Sequence, residues 1–232
     1  MSARLEIVIE LLYYFIIDIF AGLNKKGGEA MSPRTKEQND EIRERRKLQI
    51  IETAELLFIR NGMNLDIRDV ALAAQLGYGT VYHYYNNKHL LIHDIMESGF
   101  SAAEETAQQL NAPQSPLSML HTYLRCLPDS WTKSRAAFAI YKKASENFSM
   151  FEPDIQQAYN DRFEKFIYMP VVTLIQKAIS LQELPNKLDP HRTANTLLGA
   201  LIGAFSIYSG HDNQRFDANF TADVLIKGIL EV

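Results

Sequence analysis

A chain of 232 residues, 47% of them hydrophobic, is long enough to enclose a sizeable core and to divide into a small domain and a larger one. Its net charge of −4 excludes a protein-wide basic field that would draw it to nucleic acid, so any DNA contact has to come from local groups and from the pairing of two copies. A single cysteine, Cys126, excludes an intrachain disulfide and fits a reducing, cytoplasmic compartment; with no Cys-His pattern beside it, it reads as buried filler rather than as a nucleophile.

The first segment, residues 1–30, is an apolar extension. Leu5 to Leu23 is strongly apolar but interrupted by Glu6, Glu10 and Asp18. A membrane span needs about 20 apolar residues with few charges, and a signal peptide needs a basic start and an uninterrupted apolar run. The three acids share about a third of a helical circumference, which fits an amphipathic or buried helix better than a membrane anchor. Lys25-Lys26-Gly27-Gly28 follows as a flexible joint. From Ser32 to Lys47 the chain is polar, with Arg43, Arg45, Arg46 and Lys47 clustered; this is either an arm that lies along phosphates or, given the interleaved Glu41 and Glu44, a solvated helix face. Ile50, Ile51, Ala54, Leu57 and Phe58 then form a helical apolar stripe stopped by Asn61-Gly62, with Gly62 free to take the left-handed conformation.

The most informative stretch runs from Asp66 to Lys88. Ile67, Val70, Ala71 and Ala74 recur at helical steps, and Asp66 stands as their N-cap. Gln75-Leu76-Gly77 is a tight turn. A second short helix begins near Tyr78 with Val81 and Tyr85 facing inward, leaving Thr80, Tyr82, His83 and Tyr84 on the other faces. Two short helices, a three-residue turn and an aromatic, polar outer face make a helix-turn-helix. An idle helical hairpin would carry Glu, Lys and Gln there; hydroxyls and an imidazole suit phosphate oxygens and base edges.

Gly79-Thr80-Val81-Tyr82-His83-Tyr84-Tyr85-Asn86-Asn87-Lys88, preceded by Ile67-Arg68-Asp69-Val70-Ala71, resembles the signature of the TetR (tetracycline-repressor) family of bacterial transcriptional regulators. Ile50 to Gly62 is similar to that family's first helix and its glycine stop, so the resemblance covers about Lys47 to Leu91. Three positions depart from it: Gln75 stands where the family favours glycine, Gly77 where a serine often caps, and Tyr78 where lysine is common. Beside such a regulator, Met31-Ser32-Pro33-Arg34 looks like a conventional start, which leaves residues 1–30 as either an upstream start or an added helix packed on the body. The resemblance implies an all-α fold: a helix-turn-helix domain over 31–97, then a larger helical bundle over 98–232 for ligand binding and dimerisation. Arg68, Tyr78, Tyr82 and His83 are the expected readers of bases. Thr80, Tyr84 and Lys88 are the expected phosphate clamps, with Gly79 at the close approach and Arg46 and Lys47 on the flank.

Asn86-Asn87 can cap a long helix from Lys88 to about Leu110, which in the resembled family joins reader to sensor. His89, His93 and Glu97 follow one another at a spacing that could hold a metal, although a solvated face is the simpler reading and no metal is expected. Ala112-Pro113-Gln114-Ser115-Pro116 breaks the chain. Helices are then expected near Leu117–Leu127, Asp129–Asn147, Pro153–Leu181, Pro190–Gly210 and Phe216–Val232, with no strand alternation. Trp131, Phe138, Tyr141, Phe163 and Phe166 are aromatic at helical spacing. They fit a core, but with His121 and Arg125 near in sequence they could enclose an apolar or aromatic small molecule. Leu198, Gly199, Ile202 and Gly203, with Leu225 and Ile229, are the expected dimer seam, since small residues four apart let helices approach closely.

The function expected is a non-enzymatic, ligand-responsive repressor that binds a palindromic operator as a homodimer and needs no cofactor. A membrane-associated regulator using Leu5–Leu23 is the competing reading; an all-helical enzyme is a weaker one, for no paired carboxylates, triad or phosphate loop stands out.

Overall fold

Every regular element in the residues described by the computed structural model (35–111, 114–208 and 216–232) is helical, in keeping with a sequence that has helical periodicity and no alternation. The apolar Leu5–Leu23 segment, the Lys25–Gly28 joint and Met31–Arg34 lie outside the described residues. No helix among those described is long and apolar enough to cross a membrane.

Internal contacts divide the chain into two units, Met1–Glu44 and Arg45–Val232. In the first, the Thr35 N–H donates to Gln38 Oε1 at 3.1 Å and the Gln38 N–H donates to Thr35 Oγ1 at 3.3 Å, a reciprocal cap that starts helix α1 (Lys36–Asn61). In the second, α1 ends at Gly62, whose φ of +56° is the expected left-handed stop, and a 3-10 turn (Gly62–Asn64) leads on. α2 (Ile67–Ala73) and α3 (Tyr78–Tyr84) form the helix-turn-helix, and α4 (Lys88–Ala107) is the long connector. The bundle continues with α5 (Pro116–Lys133), α6 (Arg135–Ser145) and α7 (Pro153–Phe163). A π turn (Glu164–Tyr168), α8 (Met169–Ser180), α9 (Pro190–Tyr208) and α10 (Ala218–Leu230) complete it.

Two boundaries differ from expectation. The break expected near Pro128 falls at Ser134: α5 runs through the proline, and the Ser134 hydroxyl caps α6 by accepting from the Ala137 N–H at 3.1 Å. An internal proline costs a helix roughly 3 kcal/mol. Leu124, Leu127, Pro128 and Trp131 are all buried here, so packing outweighs the lost bond. The single helix expected over Pro153–Leu181 is continuous but widens to a π turn ahead of Pro170. There the Met169 N–H reaches five residues back to the Glu164 carbonyl, relieving the clash that a proline imposes on the preceding turn.

The core begins with Ile50, Ala54 and Phe58 of α1, passes Val70 and Val81, and runs along α4 through Leu91, Ile95 and Phe100 into the bundle. Its tightest point is the crossing of α4 and α6. A Cβ added at Gly99 would lie 2.5 Å from the Ala136 carbonyl oxygen and 2.8 Å from its carbon, so the two backbones touch there. Beside it, Arg162 of α7 is clamped to α4: Nε donates to Glu104 at 2.6 Å, Nη1 donates to both Glu97 oxygens at 3.0 and 2.9 Å, and the guanidinium lies 4.5 Å from the Phe100 ring centre. The Gly99→Ala variant is therefore expected to lose about 2–3 kcal/mol of stability, since the obstacle is backbone and cannot rotate away. Urea denaturation followed by circular dichroism checks this; an unchanged midpoint would contradict the backbone contact.

Candidate nucleic-acid interface and aromatic interior

The helix-turn-helix is set by local chemistry. Asp66 caps α2 by accepting from the Arg68 N–H at 2.7 Å. The turn closes as a Schellman motif: the Leu76 N–H donates to the Ala71 carbonyl at 2.9 Å and the Gln75 N–H to that of Leu72 at 3.2 Å. Gln75 takes φ +55° to allow it, which gives a physical reason for the glycine that the family favours at this position. From α1, Gln49 Nε2 donates to the free Ala74 carbonyl at 2.9 Å and ties the turn down. Buried Val81 and Tyr85 seat α3, as the sequence predicts.

The outer surface of α3 is aromatic and open. Tyr78 and Tyr82 are each about half exposed, at 47% and 48%, with ring centres 5.7 Å apart. Arg68, on α2, places its guanidinium 5.9 Å from the Tyr78 ring, so the three side chains make one continuous surface. Gly79 and His83 are exposed and Thr80 and Tyr84 half-buried, with the His83 ring edge-on to Tyr84 at 5.7 Å. Two expected phosphate contacts have partners inside the fold. Lys88 Nζ donates to the Met63 carbonyl at 2.7 Å, and Lys47 pairs with Asp94 at 3.2 Å, whereas Arg46 is exposed. Asp94 also accepts from the Tyr85 hydroxyl at 2.9 Å. Burial acts to raise its carboxyl, but the bonds from Tyr85 and Lys47 and the nearby ammonium outweigh it and hold the group below the ordinary carboxylate range. Asp94 therefore fixes the foot of the reader, a role that its place in sequence does not reveal. No group of three ligand-type residues that could hold a metal occurs among the described residues, and Glu97 is occupied by Arg162.

Of the expected ligand residues, the structure brings four together. Trp131 stacks 5.0 Å from Tyr141 and 5.3 Å from Phe138, and Phe163 meets Tyr141 edge-on at 5.8 Å. Phe205, not anticipated, closes the cluster at 5.2 Å from Trp131 and leads outward to Phe216 at 5.5 Å. The Tyr123 and Tyr141 hydroxyls, both buried, bond at 2.8 Å, and the indole N–H of Trp131 has no acceptor among the described residues. Three expected residues do not join the cluster. His121 is held by Asp223 of α10 at 2.8 Å, Phe166 is 45% exposed under Lys165, and Arg125 is exposed on the rim of a cleft of about 550 Å³ shared with Cys126, Asp129 and Phe216.

The expected dimer seam also needs correction. Leu198 and Ile229 are buried in the chain's own core, because they sit on the inward faces of α9 and α10; Ile202 and Leu225 are half-buried. Gly199 and Gly203 of the expected set are exposed, and with Ile207 on α9 and Phe220, Val224 and Gly228 on α10 they form an open stripe.

Between reader and bundle stands Glu55 of α1, 8% exposed, whose carboxylate accepts from the Ala136 N–H at the start of α6. Burial pushes its carboxyl up to about 7; the Ala136 bond opposes this, Glu52 adds to it and Arg135 offsets part.

The arrangement is an all-helical one, with a helix-turn-helix held on one long helix of a larger bundle. Residues 50–95 match the family model of the bacterial regulatory proteins, tetR family. Among solved structures, the chain is similar to AibR in complex with isovaleryl coenzyme A and operator DNA (TM-score 0.65, 20% identity, covering 80% of this chain and 98% of that one). It is similar also to the ketosteroid transcriptional regulator KstR2 of Mycobacterium tuberculosis (TM-score 0.67, 16% identity, 80% and 95%). The transcriptional regulator FadR from Bacillus subtilis in complex with stearoyl-CoA matches at TM-score 0.55 and 14% identity, over 79% and 97%. At these identities the likeness is one of fold. No curated protein matches the sequence.

Two outcomes follow from this geometry. Gln75→Gly removes a left-handed non-glycine residue and is expected to stabilise the protein by about 1 kcal/mol, read from the urea midpoint. Glu55 titrates higher in the folded chain than unfolded, so the native state binds the extra proton and stability falls as pH rises from about 4.5 to about 7. Glu55→Gln should match the wild type near pH 4.5 and exceed it by about 1–2 kcal/mol at neutral pH, partial solvent access reducing the full shift. Parallel melting curves across that range would show the gap opening; a constant gap would contradict the assignment.

Proposed function

We propose that the protein is a ligand-released repressor: a homodimer whose two α3 helices enter successive major grooves of a palindromic operator, about 34–36 Å apart. The observation that carries this reading is the continuous Arg68–Tyr78–Tyr82 surface, exposed on a helix whose opposite side is locked by Val81 and Tyr85. Arg68, Tyr78, Tyr82 and His83 take base edges, Thr80 and Tyr84 take phosphates, and Gly79 allows close approach of the backbone. Arg46 lies on the flank, while Lys47 and Lys88 act chiefly by holding the reader in place.

One short helix carries too little contact for tight specific binding, which supports a two-fold pair. The open stripe on α9 and α10 suits a second copy of the chain, its glycines leaving room for close helix approach. DNA reading is assigned to 31–97 and regulation to 98–232, with α4 continuous across the boundary. The effector is an apolar or aromatic small molecule taken into the Trp131 cluster. AibR and FadR, solved with acyl-coenzyme A molecules, lend support to an effector of that general kind. By linkage, effector and operator weaken each other's binding by the same factor. The working compartment is the cytoplasm, where the DNA is.

A gel shift with the DNA upstream of the protein's own gene tests this. Wild type is expected to form a saturable complex that unlabelled operator competes away. The double variant Tyr82→Ala, His83→Ala should bind roughly 30-fold or more weakly, each base contact contributing about 1–3 kcal/mol. Equal binding by the double variant would remove these residues from the reader, and the absence of any sequence preference in low salt would overturn the function.

A further inference from the structure

The interior of the bundle contains an unusual combination. Trp131 is 1% exposed and its indole N–H, a donor only, meets no acceptor among the described residues. Leaving such a donor unpaired costs about 1–3 kcal/mol, so a native core that keeps one calls for an explanation. Phenylalanine would fill much of the same space without that cost. Against the indole lies the Tyr123–Tyr141 pair, whose hydroxyls bond to each other at 2.8 Å. One of the two protons makes that bond and the other is left to donate elsewhere.

No formally charged side chain belongs to this aromatic cluster. Burial raises both phenols well above their ordinary range, so they stay neutral at any physiological pH. A carboxylate brought here would lose its hydration with no cation to meet it, whereas a neutral carbonyl loses little and gains a donor. A chain of rings leads from the outer cleft to the site. Phe216 lines the outer cleft of about 550 Å³, Phe205 lies between Phe216 and Trp131, and ring-centre spacings along this path are 5.5 and 5.2 Å. That volume is within the usual range for a small-molecule site. Rings in contact only with other rings can swing aside for an apolar guest without breaking any hydrogen bond.

We propose that the Trp131 N–H, beside the Tyr123–Tyr141 pair, is an inner subsite for the neutral carbonyl of an apolar effector that enters past Phe216 and Phe205. This deepens, and rests on, the reading of the protein as a ligand-released repressor. It assigns the effector a chemical class: largely hydrocarbon, with one uncharged acceptor such as a ketone or ester.

Trp131 is the sole tryptophan, so its emission reports on this site alone. Full-length protein is titrated with nonan-2-one and undecan-2-one, with nonane and undecane, and with decanoate. The ketones are expected to shift the emission saturably and to bind about tenfold more tightly than alkanes of equal length, the worth of one buried hydrogen bond. Decanoate should bind more weakly than either ketone. Calorimetry on Trp131→Phe, which removes the donor and keeps an aromatic ring, should show the ketone preference collapsing to within about twofold while alkane affinity holds. If that variant does not fold, the ketone-to-alkane ratio of the wild type and the emission shift decide alone. Ketones and alkanes binding alike, or neither changing the emission, would overturn the subsite. A gel shift on the same samples keeps the two proposals apart: intact operator binding without ketone preference sinks only the subsite, whereas no operator binding at all sinks the repressor reading.

Discussion

The contact on which the rest depends is the meeting of α4 and α6 at Gly99, where one backbone rests on another. A side chain at a helix crossing can change rotamer and absorb a displacement; a backbone-to-backbone contact cannot. A displacement of α6 at this point therefore has no side chain to absorb it. The foot of the reader is near. Asp94, which holds both Tyr85 and Lys47, precedes Gly99 by five residues, about 7.5 Å along a helix. Arg162 fastens α7 to Glu97 and Glu104 on either side of the same crossing, and Glu55 ties α1 to the first turn of α6. Two helices of the bundle, α6 and α7, and the supporting helix α1 thus meet α4 within about three turns. An element with few discrete arrangements is what two-state coupling requires.

The helix-turn-helix was legible because its signals are local. Asp66 as cap, Gly62 as stop and the inward pair Val81 and Tyr85 are fixed by spacing within a dozen residues. The aromatic cluster was half legible: Trp131, Phe138, Tyr141 and Phe163 are conspicuous by type, but Phe205 and Phe216 reach the site from elements far along the chain. His121 and Arg125 misled because proximity in sequence along α5 says nothing of face, and both point away from Trp131's neighbours toward α10 and the cleft rim. The residues expected at a dimer seam divide between two faces. Apolar periodicity cannot distinguish the stripe a helix turns to its own core from the stripe it turns to a copy of itself. Leu198 and Ile229 took the first, whereas Gly199, Gly203 and Val224 are exposed. Pro128 misled for the opposite reason, as a strong local breaker overruled by the burial of its whole neighbourhood.

Charge in this protein is sorted by depth, and the sorting divides the labour. Polar contacts sit at the joints: the ion pairs Lys47–Asp94 at the reader's foot and Arg162 with Glu97 and Glu104 at the crossing, and the His121–Asp223 hydrogen bond between α5 and α10. Such pairs are directional and weaken steeply when one partner moves, so they define which arrangements of the helices are allowed. The interior around Trp131 is neutral and aromatic, and aromatic contacts are soft: rings can slide and tilt with little change in energy. On the proposed function, an apolar guest would displace rings rather than joints, and the joints would carry the resulting shift to α4. The outer surface of α3 completes the pattern, since Lys47 and Lys88 have partners on the chain itself and the open side chains are tyrosines, a histidine and one arginine. A reader of this kind takes a smaller share of its affinity from released counterions than a lysine-rich one would, and a larger share from fit to the base edges. Fit is the quantity that a small change in the tilt of α4 alters most.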